Sequence, residues 1–472
     1  MLQILEGLFR PGAKKEEILK FIYLTAVFML VIGAYTIAKE LKDSVFVSLV
    51  GAPYLPTAKF LVVFVLIPAA LLYALLVDSV KRYQVFSFYC FLYGILTLIM
   101  AFLLGHPTIG LLNTDASPYR IFGWLFYFFF EGFSPYVVGV FWAFANSVSS
   151  PQDAKENYAT MVAGSKIGGI LTAFFAWQML GTLGTVSWLQ VSDVAAHQIL
   201  LGMVSVFMLC VPVLLYFMMR QVPGYYLHGY EQVYQFEKQQ SKEGKGSTGM
   251  LAGLMTVVKS PYLLGIFGLV LFYESLNVVL NFQRLLILKE ATSSIAGLTA
   301  GMFEQRLWMH IWSFLLSLFG VRYVVHFVGV RLSLVLVPLL MGLSVAYFMI
   351  MYNPDATTAV FILVGAINYS FSSPLKEALY IPATKDVKFK SKSWIDSFGT
   401  KFSKSFGSLF NDFARRIAVP GSALFLTIYS VFFFILIMTW LVTALLLGKT
   451  YEDAVLHGKI IGADDEESAS AE

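Results

Sequence analysis

Ionisable side chains set in apolar sequence are the places where this chain could do chemistry. The densest group is "AKELKDSVFV", residues 38–47. There Lys39, Glu40, Lys42 and Asp43 crowd in just after the apolar stretch "KFIYLTAVFMLVIGAYTI". An ionisable group at the bilayer centre costs about 3 kcal/mol on insertion scales, so such groups face protein or water. Lys39, Lys42 and Asp43 recur at spacings of three and four, which puts them on neighbouring helix faces. One reading has them cap the first helix at the outer interface, where long side chains snorkel and Lys–Glu neighbours neutralise one another. The other has the lysines project into a central cavity and meet an anionic substrate.

Glu131, in "FYFFFEGFSPYVVGVFWAFAN", has no charged residue within ten positions on either side. Its partner must come from another helix or from the substrate. Gly132 and Pro135 beyond it predict a kinked helix. A buried carboxylate at that point could carry a proton, or could pair structurally with a lysine elsewhere in the bundle. In "LFYESLNVVLNFQRL", Glu274 and Asn277 share a helical face, with Arg284 further on. They could reach a sugar hydroxyl, a base edge or a cation, or could tie two helices together. Residues 384–404, "TKDVKFKSKSWIDSFGTKFSK", hold six lysines (Lys385, Lys388, Lys390, Lys392, Lys401 and Lys404) against Asp386 and Asp396. Cytoplasmic loops carry lysines as topology determinants. Those nearest the next span could also meet phosphate at a cavity mouth as flexible point charges.

The elements that must position these groups are membrane helices. Of 472 residues, 58% are hydrophobic and only 13% charged. Soluble domains sit nearer half apolar and a quarter charged. Strict alternation over ten-residue segments is absent, which speaks against a β-barrel. A spanning helix needs about 20 mostly apolar residues. On that measure the expected spans lie near 19–38, 58–78, 84–104, 120–149, 159–182, 198–219, 260–283, 295–322, 332–352, 357–380, 400–419 and 421–447. The eleventh is polar on one side and is expected to line a cavity. The fold expected is an all-α integral membrane protein of about twelve transmembrane helices in two six-helix repeats. Its parts are an N-terminal half over 1–219, a cytoplasmic central loop over 220–259, a C-terminal half over 260–447 and an acidic tail over 448–472.

Basic residues gather on one side of that layout. They are Arg10, Lys14, Lys15, Lys81, Arg82, Arg220, Lys238, Lys242, Lys245, Arg322, Arg331, the lysines after the tenth span, Lys449 and Lys459. The positive-inside rule then places both termini in the cytoplasm. No cleavable leader is evident in "MLQILEGLFRPGAKKEE", and a bacterial inner membrane is the expected location. Ser165–Lys166 and Ser403–Lys404 are 238 positions apart, and the same offset carries Tyr35 onto Tyr273. Agreement on one register points to a duplicated six-helix unit, as major-facilitator-type transporters have.

With a net charge of only +4, global basicity does not call for a nucleic-acid partner. Cys90 and Cys210 lie in apolar runs and read as packing thiols. No P-loop, nucleophile elbow or Cys/His metal spacing is present, so neither an enzyme nor a cofactor is expected. "GSKIGG" lacks P-loop spacing and reads as a close helix contact.

Three stretches resemble the bacterial and plastid ATP/ADP translocases, the non-mitochondrial nucleotide transporter family. "YTIAKELKDSVFV" is similar to that family's first-helix motif, and "FEGFSPYVVGVFWAFANSVSS" to its fourth-helix motif. "KEALYIPATKDVKFKSKSWIDSFGTKFSKSFGS" resembles its Lys-Glu-x-x-Tyr-Ile-Pro segment followed by Lys-x-Lys-x-x-Ile-Asp. The resemblance implies a twelve-helix carrier that moves nucleotides, with substrate-site positions falling on Lys42, Glu131 and Lys392. Two departures stand out. Lys39 replaces the first-helix arginine, and "NVVLNF" puts Leu280 where the family has a seventh-helix glutamate. Family members differ in substrate, among them nucleoside triphosphates imported with protons, and NAD. Lys39, Glu274 and Asn277 complete the candidate substrate set, with Glu131 the candidate proton site. A carrier of another organic anion, such as NAD or a sugar phosphate, and a non-transporting scaffold built on the carrier fold are the alternatives.

Overall fold

A computed structural model describes residues 15–80, 82–149, 151–181, 192–227, 250–319, 321–380, 382, 391–457 and 461. The central loop from residue 228 to 249, the tail from 462, and Arg10, Lys14, Lys81, Lys385, Lys388, Lys390 and Lys459 lie outside them.

Among the described residues the apolar runs fold as twelve long helical segments. They are α1 (Lys15–Leu49), α2 (Leu55–Ser79), α3 (Arg82–Leu104), α4 (Ile121–Glu131 continuing as Gly139–Val148), α5 (Pro151–Gly181) and α6 (Asp193–Gln221), then α7 (Pro261–Ala291), α8 (Ile295–Phe319), α9 (Val321–Met351), α10 (Pro354–Ile367 continuing as Ser373–Ala378), α11 (Thr400–Ile417) and α12 (Ala423–Leu456). Among the described residues, eight are long and apolar enough to cross a membrane. A short helix, Met250–Lys259, precedes α7.

The chain forms two compact units. One takes Met1–Ala58, Phe64–Lys245 and Thr292–His310; the other takes Lys59–Val63, Gly246–Ala291 and Ile311–Glu472. In the first, α1 packs on α4, α5 and α6, and α3 packs on α6. In the second, α7 packs on α10, α11 and α12, and α9 packs on α12. Each pairing of the first unit recurs six helices later, as duplication requires.

The kinked helices also correspond. α4 passes through a π-helical turn at Ser134–Val138, and α10 through one at Asn368–Ser372. Pro135 lies within the first and Pro374 just after the second, where a missing N–H unsettles the regular ladder. Close contacts made by "GSKIGG" and its counterpart join the corresponding helices, one position apart in the shared register. A Cβ on Gly168 would lie 2.2 Å from the Met29 carbonyl oxygen of α1. One on Gly407 would lie 2.9 Å from the Ser275 carbonyl oxygen of α7. Only glycine lets these backbones approach so closely.

Two expectations change in detail. α1 does not end at residue 38 but runs on to Leu49, carrying the charged cluster inside a continuous helix. Glu40, Lys42 and Asp43 are buried, so they neither cap the helix nor snorkel. In α11 the polar face is indeed turned inward: Ser403, Ser408 and Asn411 are buried while Phe402, Phe406, Leu409 and Phe413 are exposed. That reverses the soluble arrangement, because in lipid the outer face must be the apolar one.

Candidate functional site

In the first unit, α1 and α4 bring Lys42 and Glu131 together. Lys42 Nζ lies 3.1 Å from Glu131 Oε2 and 2.6 Å from Asp43 Oδ1, and 4.5 Å from the centre of the Tyr127 ring. Glu131 closes the first segment of α4, three residues before the π turn begins at Ser134. A carboxylate with no charged neighbour along its own helix thus finds its cation on another. Lys39, one turn before Lys42, places its Nζ 5.7 Å from the centre of the Tyr35 ring. Lys42 is the cation between the buried Asp43 and the half-buried Glu131, stabilised by charge-assisted contacts and the ring's negative face.

α8 contributes residues to this unit that the span reading passed over. Arg306 donates from Nε and Nη2 to Glu40 Oε1, the first bond being 2.7 Å long. Both partners are buried. "FEQRLWMH" carries Glu304, Arg306 and His310 inside an expected span, which is the signal that could have found them.

In the second unit the motif "KEALYIP…KSKSWID" closes on itself. Lys376 pairs with Asp396 at 2.7 Å, and Glu377 pairs with Lys392. The two neighbouring residues at the end of α10 are therefore held by two residues preceding α11. Lys392 Nζ also lies 5.5 Å from the centre of the Tyr380 ring. Burial, then the Asp396 and Glu377 carboxylates, push the Tyr380 hydroxyl well above the usual phenol range.

Glu274 on α7 faces Lys404 on α11 at 3.9 Å, and Asn277 is half-buried one turn on. Ser403 beside that lysine accepts from Ser275 through its backbone carbonyl. Leu280 is buried, and the neighbouring Arg284 stacks 3.7 Å from the centre of the Phe361 ring while donating to Asn281. An arginine stacked on an aromatic and an apolar leucine thus fill the region where the family resemblance called for a glutamate. Among the described residues, no cluster of three His, Cys, Asp or Glu could hold a metal ion.

Residues 5–451 match the family model described as TLC ATP/ADP transporter. The chain belongs to the TLC ATP/ADP transporter family. Among its relatives within that family, ADP,ATP carrier protein 3 of Rickettsia prowazekii (strain Madrid E) is 22% identical over 93% of this chain and 95% of the relative. ADP,ATP carrier protein 1 of Chlamydia muridarum (strain MoPn / Nigg) is 23% identical over 92% and 89%. ADP,ATP carrier protein 2, chloroplastic, of Arabidopsis thaliana is 26% identical over 85% and 70%. In fold, the TLC chain resembles the D-xylose-proton symporter (TM-score 0.60, 14% identity, 90% of this chain and 96% of the other). It also resembles a bacterial homologue of the lysosomal transporter Spinster (TM-score 0.57, 13% identity, 94% and 99%). The architecture is that of a multi-pass major-facilitator-like transporter.

Proposed function

We propose that this chain is a secondary transporter that moves nucleotides across a bacterial inner membrane by alternating access, with both termini in the cytoplasm. The observation that carries the reading is the match of nearly the whole chain to a family of ATP/ADP transporters. Lys42, Lys39 and Lys392 are the candidate phosphate contacts. Glu274 and Asn277 are the candidate polar contacts to the nucleoside, and Glu131 balances Lys42. A nucleoside triphosphate carries about four negative charges, which a low-dielectric cavity must offset with cations. Lysines held by carboxylates and aromatic faces can be exchanged to the substrate and recovered after release. The buried Leu280 favours a coupling or substrate preference different from that of members with a glutamate there.

Uptake of radiolabelled ATP, GTP, CTP, UTP and NAD by intact bacterial cells expressing the chain tests the proposal, run with and without an uncoupler. ATP uptake insensitive to uncoupler and chased out by external ADP identifies an exchanger. Uptake that collapses with uncoupler identifies proton-coupled import, with Glu131 its leading proton carrier. No uptake of any of these, from protein shown to reach the membrane, refutes nucleotide transport. Reporter fusions at each terminus test the orientation.

A further inference from the structure

A second group of ionisable side chains lies in the first unit, beyond Lys42, Asp43 and Glu131. Three helices supply it: Lys39 and Glu40 from α1, Lys166 from α5, and Arg306 and His310 from α8. His310 is only 6% exposed, and neither ring nitrogen has a hydrogen-bond partner. A neutral imidazole has one N–H to donate and one lone pair to fill, and leaving both unmet when it is buried is costly. Its ring lies against Gly169, where a Cβ would sit 3.1 Å from Nε2. Glycine therefore makes the room the ring occupies.

Lys166, Arg306 and Lys39 each act on His310 as positive charges. Lys166 in turn feels Arg306 and Lys39. Glu40 neutralises Arg306. Three cations from three helices thus act on an imidazole whose nitrogens have no hydrogen-bond partner, where low polarity strengthens each interaction. Lys39 and Lys166 are half-buried, which leaves an approach to the group. A purely structural network would satisfy its histidine.

We propose that Lys39, Lys166, Arg306 and His310 form a subsite for a phosphate group of a polyphosphate ligand, with Glu40 the resident counter-ion that holds Arg306 until the ligand arrives. The ligand's identity as a nucleotide rests on the carrier reading above; its charge and chemical class rest on the geometry. The lysines supply point charges, Arg306 a planar fork, and His310 an N–H to a phosphate oxygen. Glu40, bound by the same fork, mimics the ligand.

Calorimetric binding of inorganic tripolyphosphate to the purified full chain tests this without a nucleoside. Wild type binds. Lys166→Gln and His310→Gln each weaken binding about tenfold or more, as loss of one charge-assisted contact does, and Lys166→Arg retains it. ATP binding falls in the same variants more than AMP binding does. No tripolyphosphate binding by wild type overturns the subsite, as does wild-type affinity in both glutamine variants. Melting temperature and monodispersity confirm folding, and if His310→Gln does not fold, the half-buried Lys166 decides the matter. The two proposals separate cleanly. Lys166-dependent tripolyphosphate binding without nucleotide uptake upholds the subsite and refutes the carrier reading. Nucleotide uptake with tripolyphosphate affinity indifferent to both positions does the reverse.

Discussion

Replacing Lys42 by glutamine removes the cation from between two carboxylates. Its Nζ lies 2.6 Å from Asp43 and 3.1 Å from Glu131, whose side chains are 7% and 17% exposed, so solvent screens neither contact well. Each charge-assisted hydrogen bond of this kind contributes about 1.5–3 kcal/mol. The substitution also leaves two like charges near one another. Breaking a buried ion pair from one side costs about 3–5 kcal/mol, and Lys42→Gln is expected in that range. Glu131→Gln is expected to cost less, because Lys42 keeps Asp43. The double variant removes one stranded carboxylate and recovers about 1–3 kcal/mol relative to Lys42→Gln alone. Unfolding midpoints of the four purified proteins give the coupling energy directly. Additive effects, or a Lys42→Gln protein as stable as wild type, would refute Lys42 as the counter-ion of Glu131. Uptake by the double variant adds a second readout. Regained stability without regained transport means that Lys42 acts on the substrate as well as on the fold.

Lys392→Gln is expected to change stability by about 1 kcal/mol or less, because its pair with Glu377 is 32% and 50% exposed. Nucleotide uptake should fall at least tenfold all the same, and equal uptake removes Lys392 from the substrate set. Gly168→Ala pushes a methyl onto the Met29 carbonyl and should destabilise by about 1–3 kcal/mol or more in a thermal melt. Gly202→Ala in α6, where a Cβ meets nothing within 4 Å, should instead stabilise by about 0.5–1 kcal/mol. Arg120 donates to the carbonyls of Ile109, Gly110, Asn113 and Asp115. Arg120→Ala should therefore open the loop between α3 and α4 to limited proteolysis while the helices keep their melting temperature.

The helices were legible because spanning segments announce themselves by length and hydropathy. α11 was legible from its one-sided polarity, and the repeat from a shared register, with the same helix pairings recurring in both units. Glu131 was legible as a carboxylate needing a partner from elsewhere, since nothing nearby along the chain could serve. The end of α1 was misread because four charges in five positions look like an interface. They are tolerated inside the helix because Glu131 and Arg306 arrive from α4 and α8 to meet them. Arg306 and His310 were missed for a related reason: an apolar window averages over a few charges, and only tertiary packing gathers those of α8 with Lys166. Lys166 itself was read only as a marker of the repeat.

The bond between Arg306 and Glu40 also sets an order of assembly. The partners are 266 residues apart in the chain. At roughly 5–20 residues per second, the ribosome leaves an interval of roughly 13–50 s between making one and making the other. During that time α1 and the helices after it are already in the bilayer, and Glu40 has no arginine to receive. A carboxylate in hydrocarbon is expensive unless it is paired, so the Glu40 face of α1 gains its arginine only when α8 is inserted. The first six helices are made first, but the first unit is complete only with the start of α8, which carries Arg306.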